Sequence, residues 1–221
     1  MQNPRRKKMK NQVKEIKIQC AAQNGAQLPE YKTIGAAGAD VYAYLTENIT
    51  LEPGEYKMIP TGLSCSIPEG FEIQVRPRSG LAAKNGVTVL NAPGTIDSDY
   101  RDPVGVILQN TYNIANLPYQ IARDPRILED LCDHYREMDL EEYLAEHGGT
   151  CPAGAALLNI TGQKIYVDDD GNPYGTIYIK QGERIAQMIF CEYKRANFIP
   201  HPNPNEIGKD RGGGFGHTGR A

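Results

Sequence analysis

The chain has 221 residues, with 24 Lys+Arg against 27 Asp+Glu, 23 Gly, 15 Pro, 40% hydrophobic residues and a formal net charge of -3. This fits one globular domain, and so small a net charge gives no reason to expect a nucleic-acid polymer as partner. No run approaches the roughly 20 apolar residues of a membrane span, and the opening MQNPRRKKMK has no apolar stretch behind it to act as a signal peptide, which predicts a cytoplasmic protein without membrane contact.

The first element is a basic tail over 1–13: seven positive charges fall within residues 5–17, and such a run reads as a solvated, flexible terminus. From about residue 14 the dominant period is two. Ile16, Ile18 and Cys20 alternate with polar residues, as do Leu63, Cys65 and Ile67, then Phe71, Ile73 and Val75, then Val104, Val106 and Leu108, then Ile177 and Ile179. Glu52-Pro53-Gly54 and Pro68-Glu69-Gly70 supply turns between them, Pro fixing one dihedral and Gly accepting positive φ. Many short strands with such turns predict an all-β sandwich, jelly roll or barrel, here over 14–111 and 176–200.

Residues 112–175 read differently. They hold 12 acidic and 4 basic residues, a net of -8, leaving the remaining 157 residues at +5, a balance that suits an anionic substrate. Ile127, Leu128, Leu131, Tyr135 and Met138 fall on one helical face, Leu140, Tyr143 and Leu144 form a second helical turn, and Gly148-Gly149 ends the helical part. Lys164–Val167 and Thr176–Ile179 then flank Asp168-Asp169-Asp170-Gly171-Asn172-Pro173 and predict a β-ribbon closed by a loop of turn formers. Gly171 directly follows three aspartates, so the ligand spacing of an EF-hand is absent. The five cysteines, Cys20, Cys65, Cys132, Cys151 and Cys191, include no Cys-x-x-Cys pair, which argues against a disulfide framework or zinc ribbon. Cys132, His134, His147 and Cys151 share this acidic segment and could supply a zinc staple, but Cys132 and His134 would diverge on a helix, where solvated histidines and lone cysteines are the ordinary reading.

Five segments are too rich in polar and small residues to be ordinary strands. Ala36–Ala43 sets Asp40 in an apolar stretch, where a turn or capping role is the usual explanation. Arg76–Ala82 joins Arg78, Ser79 and Gly80, a cation, a hydroxyl and an open backbone, which together make an anion cradle. Asn91–Arg101 places Asp97 and Asp99 beside a Pro-Gly turn, and alternation in an extended segment would point both to one side, where a carboxylate can deprotonate a water. Gly182–Ile189 carries Gln187 among apolar residues, either a satisfied core amide or a ligand-facing donor. Over 201–221 the chain forms a glycine-rich arm, in which Arg211-Gly212-Gly213-Gly214-Phe215-Gly216-His217-Thr218 puts an aromatic on a mobile segment able to close over a flat base; the Gly-Lys-Ser/Thr ending of a P-loop is missing.

In this order the five segments resemble the five motifs of the trimeric dUTPases, over roughly 14–111 and 176–219. The resemblance implies a distorted jelly-roll β-barrel, a homotrimer with shared sites, and Mg2+-assisted water attack on the α-phosphate of dUTP, giving dUMP and pyrophosphate. That reaction limits uracil incorporation into DNA and supplies dUMP for thymidylate synthesis. It also implies that Asp97 activates the water, that Tyr100 packs beneath the deoxyribose and excludes a ribose 2′-hydroxyl, and that Asn91 with Gly94, Thr95 and Ile96 reads the uracil edge. Arg78, Ser79 and Gly80 would bind phosphates, Asp40 and Gln187 would organise waters around metal and phosphates, and Phe215 would stack on uracil within an arm that also brings Arg211, Gly216, His217 and Thr218. Three departures stand out: Arg211 precedes Phe215 by four residues rather than the family's five, with Lys209 nearby; His217 takes a position often held by serine; and Asp102-Pro103 replaces the glycine after Tyr-Arg. A dCTP deaminase shares the wider fold but lacks the Gly-Phe-Gly arm, and a non-catalytic nucleotide-binding protein would have no need of an intact Asp97.

Overall fold

A computed structural model describes residues 15–148 and 162–209. Its frame is a set of short antiparallel strands: β1 (Gln19–Ala22), β2 (Gly38–Tyr42), β3 (Ile49–Leu51), β4 (Tyr56–Pro60), β5 (Leu63–Ser66), β6 (Phe71–Arg76), β7 (Val87–Val89), β8 (Gly94–Ile96) and β9 (Gly105–Asn110). Later in the chain come β10 (Arg136–Asp139), β11 (Lys164–Val167), β12 (Ile177–Ile179) and β13 (Arg184–Glu192). One sheet runs β2-β13-β6-β8 and a second β4-β9-β7, with the pairs β1-β5 and β12-β3 completing the body. The link from β7 to β8 therefore passes from one sheet to the other. Alternation supplies the core: Ile73 and Val75 on β6, Val106 and Leu108 on β9 and Ile185 and Met188 on β13 are buried in one cluster. This is an all-β body of packed antiparallel sheets with added helices, within the sandwich, jelly-roll or barrel class that the period-two runs predict.

The Pro-Gly turns form as expected. Glu55 N–H donates to Glu52 O at 3.0 Å and Phe71 N–H to Pro68 O at 3.2 Å, with Gly54 and Gly70 at φ 81° and 84°. Four short helices join the strands: α1 (Ser79–Asn85), α2 (Leu117–Arg123), α3 (Arg126–His134) and α4 (Leu140–Glu146).

Two expectations for residues 112–175 need correction. The apolar stripe does not continue helically through Met138. Helix α3 stops at His134, and Met138 is buried in β10, opposite Ile165 of β11. The run Thr176–Ile179 does not form a ribbon with Lys164–Val167 either. β11 pairs with β10, whereas β12 pairs with β3, Ile177 facing Leu51. Locally the return runs beside the end of β11 only through residues 172–174, with Val167 bridging Pro173 and Tyr174 N–H donating to Tyr166 O at 2.7 Å, around a tight turn in which Asp168 accepts from the backbone N–H of Asp170 at 3.1 Å and of Asn172 at 2.9 Å, and also from the Tyr178 hydroxyl. The aspartate run is thus a capped turn, as its composition implies.

Among the described residues three polar side chains are buried: Asp40, Thr61 and Asn110. Asn110 ends β9 where the chain leaves for the acidic segment. Its amide donates to Leu51 O at 2.9 Å and to Gly175 O at 2.8 Å, and its carbonyl accepts from Tyr112 N–H at 3.0 Å. One side chain thereby clamps both ends of the segment to the body. The return is close-packed: a Cβ on Gly175, which sits at φ 90°, would lie 2.4 Å from the Tyr112 ring. Asn110→Ala should cost about 2–4 kcal/mol in urea-melt stability, because two buried carbonyls and one N–H lose their partner together.

Candidate active site

β2 and β13 bring the first polar cluster together. Asp40 lies opposite Gln187, and Gln187 opposite Arg76, along one row across β2, β13 and β6. Asp40 is only 3% exposed, a position a carboxylate tolerates only when paired. Its Oδ1 accepts from Arg78 Nε at 3.2 Å and Gln187 Nε2 at 3.3 Å, and its Oδ2 accepts from Arg184 Nη1 at 2.9 Å. Burial pushes the Asp40 carboxyl upward, but the hydrogen bonds from Arg184 and Gln187 and the charges of Arg78 and Arg184 outweigh it and hold the carboxyl below its ordinary value. Gly38 makes room for this cluster, since a Cβ there would lie 3.1 Å from Gln187 Oε1.

Arg184 is the residue that sequence reasoning missed. In a regular strand, residues 184 and 187 face opposite ways. A bulge between Arg184 and Ala186 leaves Arg184 opposite Tyr42 and Gln187 opposite Asp40, so both act on the face of Asp40. Arg78 is tied in as well, its Nη1 donating to Arg184 O at 3.1 Å. It is the N-cap of α1, with extended φ -86° and ψ 129°, and Ser79 and Gly80 follow, exposed, as the first helical residues. Their backbone N–H groups have no partner within the helix, and a Cβ on Gly80 would meet nothing within 4 Å. The anion cradle expected from Arg78, Ser79 and Gly80 is therefore the open start of a short helix beside two guanidinium groups.

The second constellation follows β7 and β8. Ala92 N–H donates to Val89 O at 3.0 Å, the Ala92–Pro93 peptide is cis, and Asn91 folds over Gly94, whose Cβ position lies 3.2 Å from the Asn91 amide nitrogen. Gly94 and Ile96 are buried and Thr95 is exposed, as alternation requires. Asp97 and Asp99 do not continue that alternation. Tyr100 N–H donates to Asp97 O at 3.2 Å, so Asp97–Tyr100 is a turn, which releases the two carboxylates from a common strand face. Arg101 Nη1 closes this turn by donating to Ser98 O at 2.6 Å and Tyr100 O at 2.8 Å, and the Tyr100 hydroxyl donates to Pro103 O at 3.2 Å. The loop is moored by the second buried polar residue, Thr61, whose hydroxyl donates to Val104 O at 2.7 Å. Thr61 gives no sequence signal beyond a polar residue beside glycine.

The two constellations do not meet within one chain. Ile96 lies opposite Ile73 on β6, while Gln187 lies opposite Arg76. Ile96, the last paired residue before Asp97, is thus three rows from Asp40 along the strands, about 10 Å, and three strands across, about 14 Å, for a separation of roughly 17 Å. Arg211, Phe215, Gly216, His217 and Thr218 lie outside the described residues, as do residues 1–14. Lys209 is described and exposed. His134 Nδ1 is bonded to Asp130 at 3.1 Å, His147 Nδ1 to Tyr143 O at 2.8 Å, and Cys151 lies outside the described residues. Among the described residues no three His, Cys, Asp or Glu side chains converge as a metal cluster would require.

Comparison with known proteins gives a consistent result. A family model described as dUTPase matches residues 24–127. The chain is 49% identical over 130 residues to a deoxyuridine 5'-triphosphate nucleotidohydrolase of a Wolbachia strain from Drosophila simulans, covering 58% of this chain and 83% of that one. It is 45% identical over 130 residues to the corresponding protein of Fusobacterium nucleatum, covering 59% and 87%. Among solved structures, it resembles a Staphylococcus bacteriophage 80alpha dUTPase mutant carrying dUpNHpp, with TM-score 0.62 at 19% identity over 92% of this chain and 99% of that one. It also resembles the dUTPase of S. aureus phage phi11, described with a species-specific insert, with TM-score 0.57 at 20% identity over 87% and 100%. At these identities the two phage proteins speak to the fold.

Proposed function

The chain belongs to the dUTPase family, and from that membership we propose that its dUTP-hydrolysing site is built between subunits of a homotrimer, from Asp40, Arg78, Ser79, Gly80, Arg184 and Gln187 of one and Asn91–Tyr100 of another. The enzyme cleaves dUTP to dUMP and pyrophosphate. The strand register supports the shared site above all: ideal strand spacing sets Ile96, the residue before Asp97, roughly 17 Å from Asp40 in a single chain, too far for both segments to serve adjoining phosphates of one triphosphate.

In this reading the uracil edge meets the Asn91 amide and the backbone of Gly94, Thr95 and Ile96, donors and acceptors that a wrong base would leave unpaired. The Tyr100 ring, fixed through its hydroxyl to Pro103, floors the deoxyribose. The Asp97 carboxylate takes a proton from water as the water oxygen bonds to the α-phosphorus and the bond to the β-phosphate oxygen breaks, releasing pyrophosphate. Arg78 and the N–H groups of Ser79 and Gly80 hold the phosphate oxygens as charge moves toward the leaving group. Phe215, with Arg211, Gly216, His217 and Thr218, closes over the base and excludes bulk water.

Mg2+ on the triphosphate would supply neutralisation of the phosphate oxygens. The donor set accords with an ion carried by substrate: Asp40 commits both oxygens to Arg78, Gln187 and Arg184, which leaves it to act through water rather than as a direct ligand. Among the described residues no helix is long and apolar enough to cross a membrane.

Mixing two inactive variants tests the shared site. Asp97→Asn and Arg78→Ala chains, unfolded together and refolded, should regain a sizeable fraction of wild-type pyrophosphate release, because mixed trimers contain sites with both native residues. Activity no greater than the sum of the separately refolded variants would mean that each chain builds its own site. Tyr100→Ala should lower the preference for dUTP over UTP in kcat/KM by tenfold or more, measured as pyrophosphate release from each nucleotide.

A further inference from the structure

We propose that Cys20 and Cys65 form a site of reversible oxidation, closing to a disulfide that ties β1 to β5 in response to a peroxide. The five cysteines look scattered along the chain, but the ladder between β1 and β5 sets Cys20 directly opposite Cys65. Gln23 N–H donates to Gly62 O at 2.8 Å, which makes that facing pair a hydrogen-bonded one. Hydrogen-bonded and open pairs alternate along an antiparallel ladder, so Cys20 and Cys65, three steps away, occupy an open pair. Leu63, in the open pair between them, agrees: its N–H bonds to Thr61 Oγ1 and its O accepts from Val104, both away from β1. Open pairs bring Cα atoms to about 4.5 Å, within the span a disulfide bridges, and here the two sulfurs are already 2.7 Å apart.

The two thiols have different roles. Cys65 is buried among core residues, and burial with the neighbouring Cys20 pushes its thiol up to about 12. Both cysteines line an open apolar groove beside Ile16, Ile18, Tyr31 and Ile34, but Cys20 is only partly buried where Cys65 is 4% exposed. Cys20 is therefore the sulfur a small oxidant reaches, and Cys65 the sulfur that resolves the product. The Cys20 thiolate attacks one oxygen of hydrogen peroxide, the O–O bond breaks, sulfenic acid forms, and the departing hydroxide takes up the proton the thiol had released to give water. The Cys65 sulfur then displaces hydroxide from the Cys20 sulfur and a second water leaves with the remaining proton. Two thiols and one peroxide give one disulfide and two waters, and two electrons pass from sulfur to oxygen. Neither cysteine lies in the site described above. The cross-link closes a loop that carries β2, β3 and β4, so its effect falls on stability.

The test uses the full reduced chain, treated with equimolar hydrogen peroxide, alkylated, and digested without reductant for mass spectrometry. The expected result is a linked Cys20–Cys65 peptide pair lighter by two hydrogens, loss of two of the five thiols, and a melting temperature raised on the order of 10 °C and restored by dithiothreitol. Cys20→Ser should show neither the linked peptide nor the rise. Recovery of Cys20 as a sulfinic acid beside an unmodified Cys65, linkage between chains through the exposed Cys132, or full retention of both thiols would each overturn the proposal. The wild-type peptide map decides the matter even where a cysteine variant fails to fold.

Discussion

Asp97→Asn should lower kcat for dUTP hydrolysis by roughly 100- to 10,000-fold, the usual worth of a positioned general base, while dUTP binding changes by no more than a few-fold. The amide retains the size and hydrogen-bonding reach of the carboxylate but cannot take the proton of the attacking water. Asp97 also leaves base and phosphate recognition to other groups, which is why binding survives. Asp99→Asn is the internal control. Both carboxylates sit in the one turn closed by Tyr100 N–H and Arg101, so a purely structural or long-range electrostatic effect would appear in both variants. Single-turnover cleavage and equilibrium binding of a non-hydrolysable dUTP analogue separate the outcomes. A large loss in Asp99→Asn with little in Asp97→Asn would transfer the role to the neighbouring residue.

Asp40→Ala should both destabilise the fold, by about 1–3 kcal/mol, and raise KM for dUTP at least tenfold. The upper range for breaking a buried ion pair is larger, about 3–5 kcal/mol, but the Arg78 and Arg184 side chains are 21% and 44% exposed and keep part of their hydration. Losing Asp40 frees both guanidinium groups and the Gln187 amide together, so the start of α1 loses the brace that aims Arg78. The pH dependence has a definite sign. The folded-state Asp40 carboxyl lies below its ordinary 3.8, so its stabilising contribution is fully present above that value and is lost as pH falls through the folded one. Urea melts should therefore show the gap between wild type and Asp40→Asn at pH 7 and a smaller gap at pH 3. An equal gap at both values would mean that Asp40 acts by shape rather than charge.

The sequence by itself determined the elements whose causes are local. Alternating apolar residues made the strands, Pro-Gly pairs made the turns, and the order of five polar segments identified the chemistry, because each depends on residues a few positions apart. Helix α1 escaped notice because its seven residues bury no side chain and so carry no apolar stripe. Met138 continues the helical spacing of Leu128, Leu131 and Tyr135, yet α3 ends at an extended Tyr135 cap and the pairing of β10 with β11 claims Met138, since a ladder and its place opposite Ile165 outweigh a weak local preference.

Only the tertiary structure decided who faces whom. Nothing near Ile177 says that its partner is Leu51 rather than the adjacent ribbon, and nothing near Cys20 points to Cys65. Arg184 is the sharpest case: as a strand cation it reads as solvent-facing, and strict alternation sets it against Gln187. The bulge in β13 turns it toward Asp40, a residue 144 positions away, and the burial of that carboxylate makes the contact obligatory. The same register holds Asp97 apart from Asp40, because strand spacing is a property of the assembled sheet that no local run of residues encodes.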